Sequence, residues 1–223
     1  MNRVGILGGM GPQATILLMQ KLIDAVPATD DADHIPLIVH QNPQVPSRIA
    51  ALIDGTGPDP TPVLIRMAQD LAAAGATALA MPCNTAHHYA PALRAATPLQ
   101  LLDMLTATAR TLRTVGTIGI LASPATRLTD VFAGYFPDQT LLYAQDDAPM
   151  LSMIRAIKAG GTPSSILDAM TSQALALLDQ GADHLLVACT ELSLTAPLLP
   201  ATIPRTDSLD CLTQAILDHA KDA

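Results

Sequence analysis

The sequence of 223 residues contains no tryptophan, and aromatic residues make up only 2% of it. The core must therefore be built from Ala, Leu, Ile, Val and Met, which agrees with a hydrophobic content of 49%. Charged residues are also scarce at 14%, the formal net charge is −8, and Lys and Arg form no cluster. This composition argues against a nucleic-acid-binding or anionic-membrane surface, and a small anionic substrate would need local cations.

Long apolar runs and zinc-type cysteine spacings are absent too. No apolar run reaches the length of a membrane span, and the amino terminus leads into a short apolar strand without a signal-peptide pattern. The three cysteines, Cys83, Cys189 and Cys211, cannot all pair, and no CxxC or Cys/His set has zinc spacing. We therefore expect free thiols in a cytoplasmic protein.

Two internal repeats organise the chain, which is long enough for one large α/β domain or two small ones. IGILASPAT at residues 118–126 repeats the VGIL and PQAT of residues 4–15 with a shorter loop, and GADHLLVAC at 181–189 echoes GATALAMPC at 75–83. Apolar strand patterns alternate with helical patterns, which predicts parallel sheets and right-handed crossovers. The sequence thus predicts an α/β fold with two pseudo-equivalent halves.

Several connections are marked by proline or by capping residues. Residues 40–48 form a proline-punctuated pattern that predicts a loop, and residues 164–180 have a helical pattern. A closing helix is predicted at 207–219, with Asp207 or Ser208 as its amino-terminal cap.

Cys83 and Cys189 each follow a short apolar run and precede polar residues that could open a helix. Ligands of parallel sheets bind at the carboxyl ends of strands, so both thiols are predicted to face one substrate. At a helix amino terminus the amide dipoles lower a thiol pKa, which would favour the thiolate. The alternative is that they are small buried hydrophobes, which is the favoured interpretation for Cys211 in the middle of a helix.

Other segments allow two interpretations each. GMGPQA at residues 9–14 matches the GxGxxA form of a dinucleotide fingerprint, but no acidic residue ends the second strand, so a loop lining a site for a smaller anion is favoured. Arg48 and Lys158 are either surface cations or ligands of an anionic substrate. His87 is expected to brace the site and His88 to be exposed.

The motifs GGMGPQAT, NPQVPSR, MPCNTAH, IKAGG and ACTEL together resemble the aspartate/glutamate racemase family, in particular its aspartate racemase branch. The similarity extends over essentially the whole chain. It implies two pseudo-symmetric Rossmann-like halves, 1–105 and 106–206, with the closing helix 207–223 packing back on the first half. It also implies an active site in the interdomain cleft, no pyridoxal phosphate or other cofactor, and a homodimer. Ala188 departs from the usual family glycine, and Glu191 stands where glutamate racemases have histidine.

The resemblance assigns catalysis to a cysteine pair, Cys83 and Cys189, acting on opposite faces of the substrate Cα. A thiolate and a thiol of similar pKa can exchange the roles of base and acid between the two directions of racemisation. Asn84, Thr85 and Thr190 are implied to hold the α-carboxylate or the amino group of an acidic amino acid, where donors stabilise the developing charge. The predicted substrate-binding set is Met10, Gln41, Asn42, Arg48, Asn84, Thr85, Lys158, Thr190 and Glu191, with Arg48 and Lys158 as candidates for the second carboxylate.

Three alternative functions stay open at this point. The same cysteine pair would also serve maleate cis-trans isomerisation or hydantoin racemisation. A catalytically silent amino-acid-binding protein on this fold is the second alternative. The third is a dithiol redox protein, in which the two thiols would form a disulfide on mild oxidation.

Overall fold

A computed structural model describes residues 2–221, so Met1 and residues 222–223, at the ends of two predicted ranges, lie outside the described residues. The strands are β1 Val4–Gly8, β2 Leu37–Gln41, β3 Ala78–Ala80, β4 Gln100–Leu102, β5 Thr117–Ala122, β6 Thr140–Tyr143, β7 His184–Ala188 and β8 Arg205–Asp207. The α-helices are α1 Pro12–Ala25, α2 Arg48–Leu52, α3 Thr61–Ala73, α4 Ala90–Ala96, α5 Met104–Thr111, α6 Pro124–Leu128, α7 Ala148–Lys158, α8 Leu167–Asp179 and α9 Ser208–Lys221. Short 3₁₀ helices cover Asp31–Asp33, Thr85–Tyr89, Pro163–Ile166, Leu192–Leu194 and Ala196–Leu198.

The strands form two four-stranded sheets of the same topology. Their orders are β2-β1-β3-β4 and β6-β5-β7-β8, and every neighbouring pair is parallel. The predicted α/β fold with two equivalent parallel sheets is therefore confirmed. In this arrangement β5 corresponds to β1, and β7 corresponds to β3. Cys83 follows β3 and Cys189 follows β7, so the two cysteines lie after equivalent strands.

Alternate residues of the central strands enter cores on opposite faces of each sheet. On the first sheet Leu7 and Leu79 pack with residues of α3 and α4, whereas Val4, Ile6 and Ala78 pack with residues of α1 and α9. Strands buried on both faces are continuously apolar, which is why the strand segments lack an alternating polar pattern. Burying a Leu, Ile or Val side chain in such a core stabilises the fold by roughly 1.5 to 3 kcal/mol.

The helices that follow β4 and β8 pack on the sheet of the other half. Leu212 and Ile216 of α9 share a core with Val4 of the first sheet, and Leu105 of α5 shares a core with Ile118 of the second sheet. The two helices also contact each other extensively. This exchange joins the halves through two apolar cores.

The Gly-Ala pair that begins each cysteine repeat has a structural cause. Gly75 has a φ of 91° and follows the end of α3, where a left-handed residue closes the helix. Ala76 then lies against Gly5 of β1, where an added Cβ would be 2.9 Å from the Ala76 Cβ. The second half repeats this close approach with Gly119 and Ala182, at 3.0 Å.

The structure corrects several local predictions. Strand β8 was not predicted, because it is short and its sequence, Arg-Thr-Asp, is polar. The residues after Cys83 and after Cys189 form 3₁₀ helices, and the predicted helix 164–180 also begins with a 3₁₀ turn.

The cap of the closing helix is Asp207, whose Oδ1 accepts a hydrogen bond from the Leu209 amide at 2.8 Å. Within residues 2–221 no helix has the length and apolar character that a bilayer crossing requires.

Candidate active site

A cavity of about 410 Å³ lies where β1, β3, β5 and β7 end, so both sheets contribute their carboxyl ends to it. It is lined by both predicted catalytic cysteines and by most of the predicted substrate-binding residues. These lining residues are Met10, Arg48, Cys83, Asn84, Thr85, Lys158, Cys189, Thr190 and Glu191. The structure thus brings together residues that are far apart in the sequence.

Gln41 and Asn42 are the two predicted residues that do not line the cavity. Gln41, at the end of β2, is exposed. The Asn42 side chain instead accepts a hydrogen bond from the Gln44 amide at 3.0 Å, so it stabilises the turn after β2. The motif around these residues therefore contributes to the cavity mainly through the later residues of the same loop.

The two thiols are equally buried and are not part of a disulfide. Cys83 and Cys189 are each 7% exposed, and each lies just beyond the end of an equivalent strand. Their surroundings differ, however. Within residues 2–221 no side chain forms a hydrogen bond with the Cys83 thiol, whereas Cys189 has a buried carboxylate beside it.

That carboxylate belongs to Glu191, and together with burial it favours the protonated form of Cys189. The Cys189 thiol donates to Glu191 Oε2 at 3.2 Å, and Glu191 is 6% exposed. Burial raises the pKa of the Cys189 thiol well above its ordinary value, and the negative charge of Glu191 raises it further. The prediction of a lowered pKa is therefore wrong for Cys189, because burial and this carboxylate outweigh the dipole of a single 3₁₀ turn.

Lys158 forms an ion pair with Glu191 rather than standing free in the cavity. Its Nζ is hydrogen-bonded to Glu191 Oε1, while Glu191 Oε2 accepts a hydrogen bond from the Cys189 thiol. The loop after β1 passes close to this pair, since a Cβ on Gly11 would lie 3.4 Å from Glu191 Oε1 and 3.8 Å from Lys158 Nζ. The predicted use of Lys158 for a substrate carboxylate thus competes with a partner that the protein already supplies.

Arg48 is the cation of the cavity that has no acidic partner among residues 2–221. Its Nη1 donates to the Pro46 carbonyl at 2.9 Å, and its Nη2 donates to the Met10 carbonyl at 3.2 Å. Its Nε is buried without a hydrogen-bond partner in the described part of the chain. Because Lys158 and Glu191 offset each other, the charged lining residues carry a net charge of one positive unit.

The polar residues next to the cysteines tie each loop to the opposite half. Thr190 donates to the Pro82 carbonyl at 3.2 Å, and the Thr85 hydroxyl is 3.1 Å from that of Thr126. Since the Thr190 proton is used in this bond, its oxygen offers a ligand only lone pairs. Asn84 donates through Nδ2 to the hydroxyl of Ser208 at 2.9 Å.

His87 braces the backbone of the first cysteine loop. Its Nε2 accepts from the Met104 amide at 3.3 Å, so the proton of the neutral ring is on Nδ1, which donates to the Cys83 carbonyl at 2.9 Å. Burial lowers the pKa of His87, which favours this neutral form. His88 is exposed.

Sequence reasoning missed several cavity residues. Ser123 follows β5 at the position where the glycine loop follows β1, so the internal repeat was a signal that pointed to it. Nothing comparable marked Ser47 at the start of α2 or Ile154 on α7, because a proline-rich loop and an apolar helix position are common everywhere. Within the residues that the structure describes, no cluster of three or more His, Cys, Asp or Glu side chains could hold a metal ion.

Comparison with known proteins gives consistent matches. A family model described as Asp/Glu/Hydantoin racemase matches residues 7–216. The chain is 24% identical over 219 residues, 95% of each protein, to the broad specificity amino-acid racemase RacX of Bacillus subtilis. An aspartate racemase structure from Picrophilus torridus has a TM-score of 0.82 at 25% identity, covering 99% of this chain and 95% of that one. A Francisella tularensis glutamate racemase with D-glutamate has a similar fold, with a TM-score of 0.71 at 15% identity, covering 99% and 81%.

Proposed function

Because the chain belongs to the Asp/Glu/hydantoin racemase family, we propose that it racemises an acidic amino acid, aspartate or glutamate, with Cys83 and Cys189 as the two acid/base groups. The observation that carries this proposal is the cavity itself. Two cysteines from equivalent positions of the two halves line one cavity, and both are free thiols. An acid and a base on opposite sides of one carbon are what inversion at Cα requires.

The proposed reaction begins with removal of the Cα proton by the Cys83 thiolate, which becomes a thiol. The Cys189 thiol then gives its proton to the opposite face of Cα, so one C–H bond breaks, one forms, and the configuration is inverted. Cys189 suits the role of first donor because its pKa lies well above the ordinary value and it rests protonated beside Glu191. The forward reaction leaves Cys83 as a thiol and Cys189 as a thiolate, so in the reverse direction Cys189 is the base and Cys83 is the donor. When Cys189 starts as a thiol, Glu191 accepts its proton and Cys83 takes up one from solvent before that direction begins.

The choice of an acidic substrate rests on charge. An acidic amino acid carries two carboxylates and one ammonium, so its net charge is minus one, and the lining residues Arg48, Lys158 and Glu191 together carry a net charge of plus one before the Cys83 thiol ionises. Arg48 is the uncompensated cation, and a guanidinium binds carboxylates through paired donors. Lys158 then acts mainly by neutralising Glu191 and is a weaker candidate for the second carboxylate.

The proposal is tested by incubating the purified protein, without added cofactor, with single enantiomers of aspartate, glutamate, alanine and serine. A substituted hydantoin and maleate are included as substrates of the alternative activities. We expect loss of enantiomeric purity for aspartate or glutamate, measured by chiral chromatography, and none with Cys83→Ser. Turnover of the hydantoin or of maleate alone would replace the proposal by that activity, and no turnover of any compound would contradict an enzymatic role.

We also propose that the protein acts as a homodimer, as the family resemblance implies. Sedimentation velocity at micromolar concentration measures this directly. We expect a species of twice the 23.2 kDa chain mass, and a purely monomeric species would contradict the proposal.

A further inference from the structure

Ser208 connects the closing helix to the first cysteine loop, 124 residues away in the sequence. Its hydroxyl is 2.9 Å from Asn84 Nδ2 and donates to the Val187 carbonyl at 3.0 Å. A serine hydroxyl has one proton, and a backbone carbonyl has none to give. The Ser208 oxygen can therefore only accept from Asn84, which fixes the amide group with its nitrogen toward Ser208.

The other end of the same amide is left without a partner. Asn84 lines the cavity and is 2% exposed, and within residues 2–221 its Oδ1 has no hydrogen-bond donor. Leaving a buried acceptor unpaired is costly, so such an atom in a cavity points to a ligand that brings a donor. The donor cannot be a carboxylate, because an ionised carboxylate only accepts hydrogen bonds.

We infer that Ser208 is a positioning residue that locks the Asn84 carbonyl oxygen toward the substrate, so that the site selects ligands with an N–H donor at this position. For an amino acid this donor is the α-ammonium group. The inference rests on the proposed function for the class of ligand, and it adds which group Asn84 binds and what sets its orientation. The inference also predicts that the site prefers an amino acid to a dicarboxylate of equal length that carries no nitrogen.

A second acceptor supports the same assignment. Thr190, on the other cysteine loop, uses its hydroxyl proton at the Pro82 carbonyl, so its oxygen is also an acceptor only. Both cysteine loops thus carry a hydrogen-bond acceptor, Asn84 Oδ1 or Thr190 Oγ1, on a residue that lines the cavity. Arg48 attracts any carboxylate, so it cannot by itself distinguish an amino acid from a plain dicarboxylate.

The test is the ratio of the affinities for DL-aspartate and succinate, measured by titration calorimetry. We expect the wild-type protein to bind aspartate at least about tenfold more tightly, the size of one charge-assisted hydrogen bond. In Ser208→Ala the Asn84 amide is free to rotate and present its nitrogen, and we expect the ratio to fall about tenfold. Ser208→Thr keeps the hydroxyl and should keep the ratio.

Ser193→Ala is the matched control. Ser193 is also a buried serine near the start of α9, but its hydroxyl donates to Asp207 Oδ1 at 2.8 Å and does not contact Asn84. A general loosening of this region would therefore change the ratio in both alanine variants. If Ser208→Ala does not fold, as judged by its thermal unfolding, Asn84→Leu removes the acceptor itself and should abolish the preference for aspartate.

A wild-type ratio near one, or an unchanged ratio in Ser208→Ala and Asn84→Leu, would overturn the inference. The ratio requires no turnover, so its outcome is independent of catalysis. A protein that keeps the Ser208-dependent ratio but does not racemise would refute the proposed reaction and support this assignment. Racemisation by a protein whose affinity ratio is unchanged in Ser208→Ala would support the proposed reaction and refute this assignment.

Discussion

The loops after Cys83 and after Cys189 leave equivalent strands, yet their polar residues surround the thiols differently. Four residues beyond Cys83, the His87 ring donates a hydrogen bond to the Cys83 carbonyl. Four residues beyond Cys189 the corresponding residue is Ser193, whose hydroxyl donates to Asp207 instead. Two residues beyond Cys189, Glu191 accepts a hydrogen bond from its thiol. The repeated fold places the two sulfurs, whereas side chains that are not repeated give the two thiols different surroundings.

The cations of the two halves differ in the same way. Arg48, from the first half, has no acidic partner within residues 2–221, so its charge is available to an anion. Lys158, from the second half, is paired with Glu191. In the proposed reaction, recognition of the substrate therefore falls mainly to the first half and storage of a proton mainly to the second.

The largest effect is expected when either half loses its thiol. Cys83→Ala and Cys189→Ala should each reduce racemisation by about 10² to 10⁴, the usual contribution of a positioned acid or base. Cys211→Ala is the matched control, because Cys211 lies outside the cavity lining and its thiol donates to Thr111 at 3.6 Å. Near-normal racemisation by Cys83→Ala or by Cys189→Ala would show that racemisation needs only one of the two thiols.

Removing the carboxylate of the second half should slow the reaction less. Glu191→Gln loses the charged acceptor of the Cys189 proton, so we expect racemisation to fall by about 10 to 100-fold. The pKa of Cys189 should also fall, since one of the causes that raise it is gone, although burial, the larger cause, is kept. The measurement is the pH dependence of Cys189 alkylation by iodoacetamide in a background without Cys83 and Cys211.

Glu191→Asp is the control for that experiment, because it keeps the charge and shortens the side chain. It should alkylate over a pH range closer to that of the wild type than Glu191→Gln does. An alkylation profile that is the same in Glu191→Gln and in the wild type would show that the carboxylate does not control the Cys189 thiol.

Removing the free cation of the first half should affect acidic substrates selectively. Arg48→Ala should lower kcat/KM for aspartate or glutamate at least about tenfold, because charged hydrogen bonds contribute roughly 1.5 to 3 kcal/mol each. Alanine or serine, where turned over, should lose less. Arg48→Lys keeps the charge but not the paired donors and should lie between. An equal loss for acidic and neutral amino acids would instead reflect the bonds from Arg48 to Met10 and Pro46.

The smallest effect on activity is expected from the two aspartates that cap α5 and α9, Asp103 and Asp207, although they should affect stability in opposite directions. Burial raises the pKa of Asp207 to about 6 from an ordinary value of 3.8. Its contribution to stability is therefore complete below about pH 3.8 and is lost as the pH rises through 6, a change on the order of 2 to 3 kcal/mol. Asp207→Asn should flatten this decline and stabilise the protein at pH 7.

Asp103, at the equivalent position of the first half, has the reverse sign. Burial opposes its ionisation, but its pKa is lowered, and hydrogen bonds from the Thr106 amide, Tyr135 and Arg94 are among the causes. Its contribution is present above the ordinary pKa of 3.8 and is lost as the pH falls, so Asp103→Asn should destabilise the protein at pH 7. Urea unfolding of both variants between pH 4 and 8 checks this, and shifts of the same sign would contradict it.

Much of the fold could be predicted because it depends on local patterns. Apolar runs buried on both faces of a parallel sheet, and the Gly-Ala pair at 75–76 that closes a helix and approaches β1, leave clear signals in the sequence. Strand β8 left no such signal in the sequence. Its three residues are polar, and they form a strand because they pair with β7. The 3₁₀ form of the residues after Cys83 depends likewise on contacts such as the one between His87 and Met104.

The candidate site was predictable as a set of residues but not as a network. Repetition pointed to Cys83 and Cys189, whereas the link from Asn84 to Ser208 spans 124 residues and has no local signal. The pairing of Lys158 with Glu191 has no local signal either, because the residues belong to different elements. Bonds to backbone carbonyls, like those of Arg48, cannot be read from residue types at all.

The measurement that tests the two-thiol mechanism most directly is racemisation of L-aspartate in deuterated water, stopped at low conversion, with analysis of the Cα position in each enantiomer. We expect deuterium in nearly all of the D-aspartate formed and almost none in the recovered L-aspartate, because the new proton comes from a solvent-exchanged thiol on the opposite face. The reverse experiment, from D-aspartate, should give the mirror-image result. Equal labelling of product and recovered substrate would indicate a single base, and unlabelled product would show that Cα does not exchange its proton with solvent-equilibrated thiols.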